Sequence, residues 1–143
     1  MFQLLNRIVA LIFIIILSPL FIIFSLLILL DDGYPILFIQ ERIGRNNIKF
    51  RVFKFRTMRT DTPDIATHLM DNPDKYYTKL GLYFRKFSID ELPQFINIIR
   101  GEMFFVGPRP ALYNQLDLIK FRTDKKIHRL FPGVTGWAQV NGR

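Results

Sequence analysis

The stretch from Ile8 to Leu30, interrupted only by Ser18, Pro19 and Ser25, constrains this chain more than any other. As a helix it would run about 35 Å at about 1.5 Å per residue. That is enough to cross a bilayer core of about 30 Å. A secretory signal peptide fits less well, because its apolar region is shorter and no small-residue cleavage site follows Leu30. Pro19 lacks an N–H and crowds the carbonyl of Ile15. Ser18, just before it, is steered away from helical geometry. A sharp bend is therefore expected at mid-run. Two paths satisfy these constraints. One is a kinked single-pass helix, favoured by base rate. The other is a helix-break-helix that enters one leaflet and returns to the same face. Arg7 before the run and a basic body after it favour cytoplasmic placement of both ends. Asp31-Asp32-Gly33 closes the segment.

The 143 residues allow one domain with one small appendage. The division expected is residues 1–32 as the membrane segment and 33–143 as the body. There is no Cys, which excludes a disulfide framework and thiolate metal sites. The 20 Lys and Arg outnumber the 12 Asp and Glu, and only Arg7 lies before residue 31. A basic body beside an apolar segment suits anionic membranes, anionic substrates or nucleic acid, and charge alone does not choose.

Pro35 to Met58 reads as a hairpin with its turn at Gly44-Arg45-Asn46-Asn47. Lys54 and Arg56 lie two apart on a strand, so both are expected on one face as a clamp for phosphate. Residues 60–78 read as a loop with a helical turn near Ile65–Met70. His68 falls there as an exposed loop residue without a second His at ligand spacing. Leu80–Phe87 is expected as a short helix or turn. Leu92, Phe95, Ile96 and Ile99 then mark the apolar face of a helix ending at Gly101. Ser88 or Asp90 would cap its start. Asp90 and Glu91 would then sit at the positive end of the helix dipole, which favours their ionised forms. Structural capping and catalysis explain this acidic pair equally well on pattern alone. Pro108 and Pro110 stiffen the backbone around Arg109, which suits a phosphate contact or merely a turn. Ala111–Phe131 reads as one helix with a basic outer face, and Val134–Val140 as a strand or extended loop before the Asn141-Gly142 turn.

Taken in order, these motifs resemble the bacterial sugar transferases, the monotopic polyprenyl-phosphate phosphoglycosyl transferases. The likeness runs through Ser18-Pro19, Gln40-Glu41-Arg42-Ile43-Gly44, Lys54-Phe55-Arg56-Thr57-Met58, Ser88-Ile89-Asp90-Glu91-Leu92-Pro93-Gln94, Val106-Gly107-Pro108-Arg109-Pro110 and Pro132 to Arg143. It covers nearly the whole chain. The resemblance implies an α+β fold: a re-entrant membrane helix kinked at Ser18-Pro19, then a small cytoplasmic domain with a hairpin and amphipathic helices. It implies transfer of a sugar 1-phosphate from a UDP-sugar to undecaprenyl phosphate with Mg²⁺, releasing UMP and initiating a polysaccharide or glycoconjugate. Asp90 would be the nucleophile carrying the phospho-sugar. Glu91 would assist through the metal or a proton, and both acids would ligate Mg²⁺. Lys54, Arg56, Arg109 and Arg85 are the expected phosphate contacts. The implied location is the cytoplasmic face of the bacterial inner membrane, with membrane lipids as partners and no nucleic acid. A homo-oligomer is compatible with it. Family members usually continue for several tens of residues past Arg143, so the body is expected to be incomplete at its C-terminus. The competing readings are a single-pass basic interaction protein and an inactive shortened relative.

Overall fold

The computed structural model describes residues 1–63 and 70–141. The apolar run forms one helix, α1 (Phe2–Asp32), with Pro19 inside it. The interruption expected at Ser18-Pro19 is not a gap, since a single helix covers both residues. Most of its large side chains face outward, among them Leu5, Ile12, Ile16, Ile22 and Leu26. An apolar surface this long is incompatible with water as its only neighbour.

The rest is a mixture of short strands and helices. Strands β1 (Leu37–Ile43) and β2 (Lys49–Phe55) form the expected hairpin. Their connection includes a 3-10 turn at Arg45–Asn47, with Asn46 and Asn47 at positive φ. Asn tolerates that conformation better than most residues, which is why it marks the turn. Helix α2 covers Gly81–Lys86 and α3 covers Gln94–Arg100. Strands β3 (Phe104–Val106) and β4 (Ala111–Leu112) follow, then α4 (Leu116–Asp124), β5 (Gly133–Thr135) and α5 (Trp137–Asn141). The larger sheet has the order β2-β1-β4, with β4 antiparallel to β1 and Arg42 opposite Leu112. β3 and β5 form a separate parallel pair.

Two compact units share these elements: Met1–Ile16, Ile39–Phe53 and Pro93–Arg143 in one, Leu17–Phe38 and Lys54–Leu92 in the other. In the first, Ala10 is fully buried against Val52, Ile98 and Met103. Phe13 adds ring contacts to Phe95 at 5.8 Å and Phe105 at 6.0 Å. Arg7 donates to the Arg100 carbonyl at 3.2 Å, capping the C-terminus of α3, and Asn6 accepts from the Phe105 N–H at 3.2 Å. Gly101 is needed there because its φ is +78°, a conformation that side chains disfavour. Asn97 is sealed from water. It donates to the Arg51 carbonyl and to Glu102 and accepts from the Phe53 N–H, tying α3 to β2. In the second unit, Phe21, Phe24 and Ile28 of α1 pack on Phe55 and Phe84. Asp31 caps α2 by accepting from the Leu80 N–H at 3.0 Å.

Several expectations need correction. The residues of α3 sealed from solvent are Gln94, Asn97 and Ile98, none of them on the expected stripe, whose Phe95 and Ile99 are only partly buried; Asn97 satisfies three backbone and side-chain partners that periodicity cannot foresee. Ala111–Phe131 is not one helix. It pairs with β1 at Ala111–Leu112, forms α4, and breaks at Lys126, which has φ +59°. Lys125, Lys126 and Arg129 therefore do not continue the face of α4. Trp137–Asn141 is helical, not extended. The expected turn near Ile65–Met70 falls largely outside the described residues. So do His68 and the Gly142 and Arg143 of the final turn.

Candidate active site

The acidic pair does not open the helix that follows it. Ser88 adopts the left-handed conformation (φ 56°), and Ile89–Glu91 forms a 3-10 turn. Helix α3 starts three residues later, behind Pro93. Neither Ser88 nor Asp90 caps it, and the Ser88 side chain makes no cap bond. The tight turn tucks Asp90 inward, leaving it 6% exposed.

Lys54, near the end of β2, meets both acids. Its Nζ lies 2.8 Å from Glu91 Oε1 and 3.6 Å from Asp90 Oδ2. All three side chains are largely shielded from water. Arg85, on the last turn of α2, contributes a second positive field at Asp90. It is oriented by the Tyr77 hydroxyl, which accepts from its guanidinium, and stacks 5.1 Å from the Tyr77 ring centre. Burial pushes the Asp90 carboxyl above its ordinary range. Lys54 and Arg85 pull the other way, while Glu91 adds to the rise. The helix-dipole expectation for Asp90 is thus replaced by a balance between desolvation and two fixed cations.

The clamp expected from Lys54 and Arg56 divides its labour. Arg56 is 5% exposed. It donates to the carbonyls of Asp32 at 2.9 Å, Gly33 at 2.7 Å and Tyr34 at 3.4 Å, and pairs with the Asp32 carboxylate at 3.3 Å. Its visible partners are thus the carbonyls at the end of α1, where cations favour the dipole. Breaking a buried charged contact of this kind typically costs about 3 kcal/mol. Arg56→Met should lower the thermal midpoint far more than Arg59→Met, which removes an exposed Arg–Asp pair. Equal midpoints would rule out the anchoring role.

Arg109 lies in the first unit, between its two prolines, and its carbonyl accepts from Arg122 at 2.7 Å. Ser18 and Pro19 lie within α1. Tyr77 and the anchoring role of Arg56 escaped sequence reasoning. Adjacent tyrosines in a loop carry no positional signal, and strand alternation says which face Arg56 takes but not what waits there.

Among the described residues no three His, Cys, Asp or Glu side chains gather as a metal cage. Asp90 and Glu91 nevertheless present hard carboxylate oxygens side by side. That fits Mg²⁺, which commonly takes one or two carboxylates and completes its shell with water and substrate phosphate.

A family model described as bacterial sugar transferase matches residues 1–143. The chain is 45% identical to the undecaprenyl-phosphate glucose phosphotransferase of Komagataeibacter xylinus, over 88% of this chain and 25% of the relative. It is 42% identical to the uncharacterized sugar transferase EpsL of Bacillus subtilis, over 94% of this chain and 65% of that protein. It is 35% identical to the UDP-glucose:undecaprenyl-phosphate glucose-1-phosphate transferase of Escherichia coli, over 94% and 30%. The chain thus spans from a quarter to two thirds of the length of these relatives.

Proposed function

Because this chain belongs to the bacterial sugar transferase family, we propose that it moves a sugar 1-phosphate from a UDP-sugar to undecaprenyl phosphate, through a covalent intermediate on Asp90. The observation that carries this reading is the shared grip of Lys54 on two adjacent, shielded carboxylates. In the first step an Asp90 oxygen attacks the phosphorus bearing the sugar. A P–O bond forms to the carboxylate, the bond to the other phosphorus's bridging oxygen breaks, and UMP leaves with its electron pair. In the second step an oxygen of undecaprenyl phosphate attacks the same phosphorus and restores the free carboxylate. Splitting one exchange into two steps is the usual gain of a covalent nucleophile.

Burial keeps water away from the Asp90 oxygen and raises its pKa, while Lys54 and Arg85 pull toward the ionised form. Glu91 holds Lys54 from the other side. Mg²⁺ would be held by Asp90 and Glu91, and when bound would neutralise charge on the diphosphate. UMP release from a panel of UDP-sugars, with and without undecaprenyl phosphate, tests the activity directly.

The reading also includes a re-entrant path for α1, at the cytoplasmic face of the inner membrane. Each end of the helix is bonded to polar groups of its own unit. Asn6 and Arg7 bond Phe105 and Arg100, and Asp31 bonds Leu80. Among the described residues no second helix is long and apolar enough to carry the chain back across a bilayer. Arg7 before the apolar run and the basic residues after it both favour the cytoplasmic side, and a re-entrant path satisfies both. Because the chain has no Cys, Gln3→Cys and Lys125→Cys can be labelled separately in right-side-out and inverted vesicles. Both should react only in inverted vesicles, and opposite accessibility would establish a single pass instead.

A further inference from the structure

The first unit contains a cleft whose lining residues have no part in the bond-making steps above. It lies among the end of β1, the Pro108–Pro110 corner and the segment from α4 to Pro132, with about 330 Å³ of space including its open mouth. Arg109, Arg122, His128 and Asn47 line it, and among the described residues no acidic side chain does. Neither Asp90 nor Glu91 is among its walls.

Two of these groups are incompletely satisfied. Arg122 is half-buried, with one Nη donating to the Arg109 carbonyl at 2.7 Å. It forms no ion pair among the described residues, and burial alone draws its pKa down. A guanidinium drawn out of water without a counter-charge is unfavourable. The Nδ1 of His128 is sealed from solvent with no hydrogen-bond partner. A wall of this kind lacks an anion. A phosphate answers it better than a carboxylate. It carries more charge on more oxygens, and a planar guanidinium can grip two of them at once.

We infer that this cleft binds a phosphate group, with Arg122 as its main contact and Arg109 and His128 beside it. The proposed function enters only in naming two sources for that phosphate, the donor nucleotide or the lipid phosphate. The plainer alternative makes Arg122 a strut that holds the Pro108–Pro110 corner, with no ligand.

The test is calorimetric titration of the full chain, in phosphatidylcholine nanodiscs, with pyrophosphate and with UMP. Wild type should bind pyrophosphate saturably. Arg122→Gln should weaken that binding about tenfold or more, and Arg122→Lys should fall between. Absence of saturable binding in wild type, or equal affinity in Arg122→Gln, overturns the inference. If Arg122→Gln does not fold, His128→Gln and Arg122→Lys carry the test, with unchanged affinity in both as the overturning result. Undecaprenyl phosphate added to the discs should weaken pyrophosphate binding if the lipid is the source. UMP binding that depends on Arg122 identifies the nucleotide. Asp90→Asn should keep the pyrophosphate affinity. Absence of UMP release from wild type, with Arg122-dependent pyrophosphate binding intact, would remove the proposed function and leave the cleft.

Discussion

Asp90→Asn should reduce UMP release by at least about 10³-fold, the scale seen when a covalent nucleophile is lost, while the folded protein becomes more stable at neutral pH. The two effects have one cause. The Asp90 carboxyl is held above its ordinary pKa by burial in the fold, against the pull of Lys54 and Arg85. A raised pKa means the folded state binds the proton more tightly than the unfolded state does. Stability contributed by this group therefore falls as pH rises through its folded pKa, and the ionised carboxylate opposes folding above it. Asparagine keeps the shape and removes the charge, so the opposition disappears. Lys54 keeps its closer partner, Glu91, at 2.8 Å. Thermal unfolding at neutral pH and again near pH 4 checks the sign. The gain of the variant over wild type should shrink on acidification, as wild-type Asp90 takes up its own proton. A variant that retains turnover removes Asp90 as nucleophile. A variant that loses turnover and stability together would make Asp90 a structural acid instead.

The parts of this arrangement that were legible in the sequence are those where one residue type answers a local need. Gly101 stops α3 in a left-handed position, as read. The hairpin turn fell on the two asparagines that take positive φ. The acidic pair stood out because it sits among cations, and Lys54 proved to be its partner 37 positions away along the chain. What could not be read depends on the identity of a distant neighbour. Arg56 looked like the twin of Lys54 and instead reaches the end of α1, because it lies just past β2, where its guanidinium meets the carbonyls of Asp32 and Gly33. The capping-box pattern at Ser88 and Glu91 was genuine in composition, yet a left-handed Ser88 followed by a tight turn buried Asp90 instead of exposing it to a helix terminus. Desolvation, which dominates that carboxyl, is a property of packing and leaves no trace in spacing.

Lys54→Met should move the acid limb of the kcat/KM profile for UMP release toward higher pH, besides lowering its plateau by about 10²–10³-fold, as for removal of one preorganised charge. The direction follows from the order of influences at Asp90. Lys54 is the largest of those that favour the ionised form. Without it, burial and the neighbouring Glu91 both push the same way, with Arg85 left as the cation in opposition. A nucleophile must be ionised to attack, so the pH at which half of Asp90 is competent rises with its pKa. The same change predicts a stability signature. With its folded pKa raised further above the unfolded value, Asp90 costs the variant more at neutral pH, and the loss should recover as pH falls through that higher folded pKa. Lys54→Arg, which keeps the charge but spreads it over a planar group, should leave the acid limb nearer its original place while still lowering turnover. An acid limb that stays put in Lys54→Met would mean that the titrating group is not Asp90, however great the loss of rate. A limb that moves in Lys54→Met and vanishes in Asp90→Asn would tie the lysine, the buried acid and the chemistry to one site.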